Sequence, residues 1–220
     1  MGTVAASAII AQASELAQDV DNVTWTLPQA LAWVNDGQRA VALVRPDASV
    51  NVHSVRLTSG TRQTLTGRRL MAIHRNTGVD GNTPGRAIVM TDMATKDEFE
   101  PDWHTDTANT VVKECMYDPK TPKIFWVSPP VHATTAVYAE ISEAVNPTDC
   151  ATTDSLIDLD DIYVPALIEW EMYRFFARDS EQTPNHIRAA GHFKNFFNLL
   201  GAKMQADMAV SAKVKQLAGA

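Results

Sequence analysis

The sequence predicts an α+β fold: a helical bundle formed by the N- and C-terminal helices, with a small β-sandwich or barrel lobe inserted between them. Three observations carry this reading. Apolar residues recur every three to four positions near both ends. The pattern changes to short β-branched and aromatic runs between Asn51 and Val145. Gly, Pro, Asn and Asp punctuate those runs. Neither helical end has enough apolar surface to fold alone, so both are expected to pack into one bundle. The expected divisions are residues 1–48 for the N-terminal helices, 49–150 for the β-rich insert, 151–201 for the C-terminal helices and 202–220 for a C-terminal tail.

The first helix is predicted from Thr3 to about Asp19, with Ile9, Ile10, Ala13, Leu16 and Ala17 on one face. The second begins at Thr26-Leu27-Pro28-Gln29, which fits a capping box with Thr26 as N-cap and Gln29 three positions on. Leu31, Val34, Gln38, Val41 and Arg45 follow at helical spacing, and Pro46 ends the helix. Strands are expected at Val52–Leu57, Met71–His74, Ala87–Met90, Val111–Tyr117, Ile124–Val127 and Ala136–Ile141. Turns are expected at Ser59-Gly60, Asn76-Thr77-Gly78, Asp80-Gly81-Asn82, Pro84-Gly85, Asp118-Pro119 and Pro129-Pro130. Helix returns near Ile162, with Tyr163, Ala166, Leu167, Trp170, Tyr173 and Ala177 as its apolar stripe and Pro165 in its first turn. The last helix has Thr183 as N-cap and Pro184 at its first position. Its expected buried face is Phe193, Phe197, Leu200, Met204 and Met208, and Gly201 is expected to end or kink it.

The 220 residues are 45% hydrophobic and 20% charged, as for a soluble protein with a real core. No apolar run reaches the ~18–20 residues that span a bilayer, so no membrane is expected as a partner. The N-terminal segment lacks the basic and long apolar regions of a signal peptide and is expected to be helix of the mature protein. Two cysteines, Cys115 and Cys150, are too few for a disulfide scaffold and lack zinc spacing. A cytosolic folding compartment fits, with a Cys115–Cys150 bridge as the lesser alternative. The net charge of −7 speaks against a protein that grips nucleic acid.

The search for chemistry is negative. Asp102-Trp103-His104-Thr105-Asp106 places a histidine between two aspartates, the residue types of a metal or acid–base site. No second histidine clusters with it, and the preferred reading is a loop anchored by a buried Trp103. His186 and His192 lie six apart, whereas a helical zinc pair needs four. The glycines before Arg86 match neither phosphate-loop nor dinucleotide spacing and read as hairpin turns. Catalytic, cofactor-binding and metal residues are therefore all expected to be none. Arg62, Arg68, Arg69, Arg75 and Arg86 give the insert a positive tendency, while Asp154, Asp158, Asp160, Asp161, Glu169 and Glu171 make the entry to the third helix acidic. Such charges are commonly just solvated. In a repeating assembly, Arg62, Arg68, Arg69 and Arg86 of one copy are candidates to meet Asp158, Asp160 and Asp161 of the next.

Trp25-Thr26, Trp33-Val34-Asn35-Asp36-Gly37-Gln38-Arg39 and Arg45-Pro46-Asp47 resemble the N-terminal pattern of a head-to-tail adaptor (connector) family of short-tailed, podovirus-like bacteriophages. Gly60-Thr61-Arg62-Gln63, Arg75-Asn76-Thr77-Gly78, Asp80-Gly81, Gly85-Arg86-Ala87-Ile88, Pro101-Asp102-Trp103-His104 and Tyr117-Asp118-Pro119 continue the likeness. So do Ala166-Leu167-Ile168-Glu169-Trp170, Tyr173-Arg174 and Ala190-Gly191-His192-Phe193 through Leu200-Gly201. Thr66 departs from the family pattern, which has proline there. The resemblance implies a structural virion protein of the phage neck, made in the host cytoplasm. It implies a homo-oligomeric ring, commonly dodecameric, between the portal protein and the tail nozzle or tube, with genomic DNA passing through the lumen without sequence-specific binding. It also implies portal docking by the C-terminal segment, for which Lys203, Met204, Met208, Val210, Val214 and Leu217 are candidates. Two alternatives are a tail-tube or tail-completion protein, and a small hydrolase using Asp102, His104 and Asp106.

Overall fold

The computed structural model describes the backbone of residues 2–178 and 183–218, and the side chains of 2–178 and 184–208. In chain order the elements are α1 (Ala6–Leu16), α2 (Leu27–Val44), β1 (Val50–Arg56), β2 (Gly60–Thr64), β3 (Arg69–Asn76), β4 (Val89–Met90), α3 (Met93–Phe99), β5 (Glu114–Tyr117), β6 (Ile124–Val131), β7 (Tyr138–Ala144), α4 (Val164–Arg178) and α5 (Thr183–Ala218). The chain forms two units with separate cores, one from Met1–Ala48 with Pro147–Ala220, the other from Ser49–Asn146. The fold is α+β, with the N- and C-terminal helices joined in one unit and the strands in the other.

In the helical unit, α2 starts where its sequence predicts. Gln29 Oε1 accepts the Thr26 backbone N–H at 3.4 Å, and Pro28 lies in the first turn, where an amide has no intrahelical partner. Ile9, Ile10 and Ala13 of α1, Val34 and Val41 of α2, and Leu167, Met172 and Phe175 of α4 share one core. Trp25 stacks flat on Phe175 at 4.5 Å between ring centres. The two chain ends are also joined by backbone bonds, with Gly2 N–H donating to Ile157 O and Ile157 N–H to Val4 O.

Four helical expectations need correction. Leu16 of α1 points outward. The buried stripe of α5 is Ala189, Phe196 and Leu200, while Phe193 and Phe197 are 40% and 42% exposed and Met204 and Met208 are exposed too. Phe196, adjacent in sequence to Phe197, takes the inward position against Trp170, with ring centres 5.1 Å apart. Gly201 does not end the helix, which continues to Ala218, and α5 begins at Thr183 itself.

In the β unit, β1-β7-β3 form an antiparallel sheet and β2-β6-β5-β4 a second sheet in which only β4 and β5 run parallel. Phe125, Val127, Ile141, Ile73 and Cys115 fill the core between them. Three expectations fail here for physical reasons. Gly60, read as a turn, opens β2. Pro129 and Pro130, also read as a turn, lie inside β6. They fall where the β2–β6 register shifts between Arg62↔Trp126 and Gly60↔Val131, beyond the last β5 partner at Ser128. A bulge is where a strand tolerates residues without a ladder donor. The third miss is α3, whose N-cap Asp92 accepts from Thr95 N–H at 3.0 Å.

Candidate assembly surfaces

Most residues that make the sequence distinctive prove to be internal fasteners. In α2, Asn35 Oδ1 accepts Cys150 N–H at 2.8 Å and Asn35 Nδ2 donates to Cys150 O at 3.1 Å. Gln38, one turn on, accepts Asp158 N–H at 2.8 Å. Together they clamp the chain as it returns from the β unit. Between them, a Cβ on Gly37 would come within 2.9 Å of the Trp170 ring, so glycine is what lets α4 approach α2. Arg39 pairs with Asp36 and Asp149. In the β unit, the Asn76 amide binds Val112 on both sides, accepting from its N–H at 2.9 Å and donating to its O at 2.8 Å, and donates also to Arg86 O at 2.9 Å. Glu143 accepts Gly67 N–H at 2.7 Å, where any Cβ would strike the carboxylate. With His53, Arg68 and Lys123 these two residues line a shallow polar concavity of about 300 Å3.

The histidine between two aspartates is a packed loop. Trp103 is 1% exposed and its Nε1–H donates to Asp97 Oδ1 of α3 at 2.8 Å. The His104 ring stacks on Trp103 at 3.6 Å and its Nδ1 lies 2.9 Å from Thr61 Oγ1. The described hydrogen bonds of this ring include neither Asp102 nor Asp106. Among the described residues no group of three or more His, Cys, Asp and Glu side chains is placed to hold a metal ion. His186 is exposed, while His192 Nδ1 meets Glu169 Oε2 at 2.8 Å and stacks on Phe176. Cys115 and Cys150 are free, buried and in different units, and burial pushes the Cys115 thiol up to about 12.

The charged candidates divide. Arg62, Arg69 and Arg86 are exposed. Arg68 is half-buried, its Nε donating to Val145 O at 3.2 Å; burial, and then the nearby Arg69, lower its proton affinity. All three candidate acids hold backbone N–H groups of their own unit. Asp158 accepts Thr148 N–H, Asp160 accepts Ile162 N–H, and Asp161 accepts both Thr3 N–H and Thr3 Oγ1–H. The last contacts, the hydroxyl first, hold the Asp161 carboxyl below its ordinary range. The β unit is less positive than its arginines suggest, with 10 Lys and Arg against 11 Asp and Glu. The helical unit has 9 against 15, and so carries nearly all of the net charge.

Close to Asp160 in the helical unit, Arg45 is buried and gathers Asp47 and Asp207 around its guanidinium, at 2.6 and 2.7 Å from Nη2. Lys203 reaches the same Asp207 at 2.9 Å. Those two cations hold the Asp207 carboxyl down, Lys203 more than Arg45. Met204 and Met208 are exposed beside this cluster, and the side chains of Val210, Val214 and Leu217 lie outside the described residues. Sequence reading missed Glu171. It is fully buried in α4, neither carboxyl oxygen has a hydrogen-bond partner, and burial raises its pKa well above the ordinary value. The signal was present, since Glu171 lies four residues after Leu167 and four before Phe175, on the stripe facing the core.

No described helix is long and apolar enough to cross a membrane. No curated protein matches the chain. The model of the family described as SU10 adaptor protein matches it over residues 4–216, which takes in both units and all twelve elements but the last residues of α5. With the clamp of α2, the Asn76 bridge and the Trp103 loop all inside that match, the chain belongs to the SU10 adaptor protein family, the structural head-to-tail adaptors of phages.

Proposed function

We propose that this chain forms a homo-oligomeric ring, dodecameric as the family resemblance implies, in the neck of the virion. The ring lies between the portal and the tail nozzle or tube, and DNA passes through its lumen. The observation that carries this reading is the family match across both units. The protein acts by assembly, without a catalytic step. A ring needs a heterologous contact, in which one face of a copy meets a different face of the next. The exposed Arg62, Arg69 and Arg86 support such a contact, with these and Arg68 of one copy facing Asp158, Asp160 and Asp161 of its neighbour. An acidic helical unit turned toward the lumen lets DNA slide, because phosphates meet more carboxylates than cations there.

In this reading the C-terminal part of α5, with Lys203, Met204, Met208, Val210, Val214 and Leu217, docks on the portal as a helix in a groove. Met204 and Met208 are exposed in the free chain, as such an anchor requires. Deleting Lys203–Ala220 is expected to leave both units folded and to abolish co-sedimentation with portal rings. Retained co-sedimentation counts against the docking assignment. Charge reversal tests the ring contact. Arg69→Glu or Asp160→Lys alone is expected to weaken oligomerisation on the portal, and the two together to restore part of it. Assembly that ignores both changes removes this pairing.

A further inference from the structure

Helix α5 has two parts of different character. Up to Leu200 it is packed, with Ala189, Phe196 and Leu200 buried and His192 bonded to Glu169. From Gly201 to Met208 no side chain is buried. Among the described residues, that second part is tied to the rest of its unit by polar contacts. Lys203 Nζ lies over the Tyr163 ring, 5.6 Å from its centre, and Asp207 accepts from Arg45.

Gly201 stands at the junction. A Cβ there would meet nothing within 4 Å, and its backbone needs no left-handed geometry. Nothing in this conformation requires glycine, which is a poor helix former. Gly191 is equally open, but it lies between buried Ala189 and the His192–Glu169 bond, so bending there would break packed contacts. Among the described residues, the tertiary contacts that bending at Gly201 would break are the polar ones.

We infer that Gly201 is a hinge and that the Arg45–Asp207 pair is a latch holding the helix beyond it in line. Arg45 is suited to this because its side chain is 7% exposed and has other partners. Nε donates to Asp47 Oδ1 at 2.9 Å, Nη2 to Asp47 Oδ2 at 2.6 Å, and Nη1 to Leu200 O at 3.4 Å. When Asp207 leaves, the guanidinium keeps Asp47, so no buried charge is stranded. Asp207 is half exposed and passes into water readily. The two arrangements are therefore close in free energy, and an exposed partner makes their balance sensitive to salt. The released helix carries Met204 and Met208 through a range of directions. Its use in docking rests on the portal contact proposed above; the latch itself is a property of the chain alone and is tested without a portal.

The test is amide hydrogen exchange on the full-length protein. Asp207→Ala removes the latch while putting the best helix former in place. It is expected to speed exchange of amides 202–208 by about threefold or more, leaving 184–200 unchanged. Raising salt to about 1 M is expected to do the same to the native chain and much less to the variant, which keeps Lys203 over the Tyr163 ring. Gly201→Ala is expected to slow exchange in the same stretch. Unchanged exchange at 202–208 in Asp207→Ala overturns the latch. Acceleration spread evenly over 184–208 overturns the hinge, because the helix would then be loosening as a whole.

Discussion

Asn76 of the β unit and Glu171 of the helical unit are both buried polar side chains, and their surroundings treat them in opposite ways. Asn76 makes three hydrogen bonds to backbone and ties the end of β3 both to Arg86, ten residues on, and to the more distant Val112. Glu171 makes none, and burial raises its pKa well above the ordinary carboxylate value. Strands and turns leave many backbone groups that side chains must satisfy, so polar residues specify the β unit. Helices satisfy their own backbone, so outside the returning loop that Asn35 and Gln38 clamp, the helical unit is held by aromatic packing such as Trp25 on Phe175, and an orphan carboxyl inside it is a net liability.

Substitutions break or sharpen this contrast. The largest effect is expected from Phe175→Ala, which empties the centre of the helical core and costs about 4 kcal/mol, read as loss of exchange protection in α1, α2 and α4 with β1–β7 spared. Asn76→Ala is expected to cost about 3 kcal/mol by leaving Val112 N–H and O unpaired, with the loss confined to the β unit. Unfolding of both units together in either variant would show that they are one cooperative body. Glu171→Met is expected to stabilise the helical unit by about 1–2 kcal/mol at pH 8. The sign follows from linkage. With its pKa raised in the fold, Glu171 weakens the native chain as pH climbs from the ordinary carboxylate range toward the raised value, and its full stability is present only below that range. The variant is expected to lose that slope in a pH series of thermal melts. Glu140→Ala, which removes the half-buried partner of the exposed Arg75 on the sheet, is expected to change stability by less than about 0.5 kcal/mol.

Legibility followed the same divide. The start of α2, the joining of both ends into one unit and the anchoring role of Trp103 could be read from local pattern and composition. Helix α3 was missed because its seven residues are too short for an apolar period to register. Its signal was local: Asp92 capping Thr95, and Lys96 one turn before Glu100. Pro129 and Pro130 misled because proline reads as a break, while a register shift in the partner strand hosts both. On α5 the choice between Phe196 and Phe197 is a rotation of one residue, set by Trp170 on another helix and invisible in the periodicity of α5 itself. The resemblance motifs were recognised as a pattern, and their meaning as clamps and bridges depends on partners more than 30 positions away, such as Cys150 for Asn35 and Val112 for Asn76.

Cryo-electron microscopy of the virion neck is the decisive test of the proposed ring between portal and tail. The expected image is a single ring of this chain against the portal, with the β unit of each copy touching the helical unit of its neighbour and the end of α5 on the portal surface. Copies stacked along the tail, or a neck density into which neither unit fits, would contradict it.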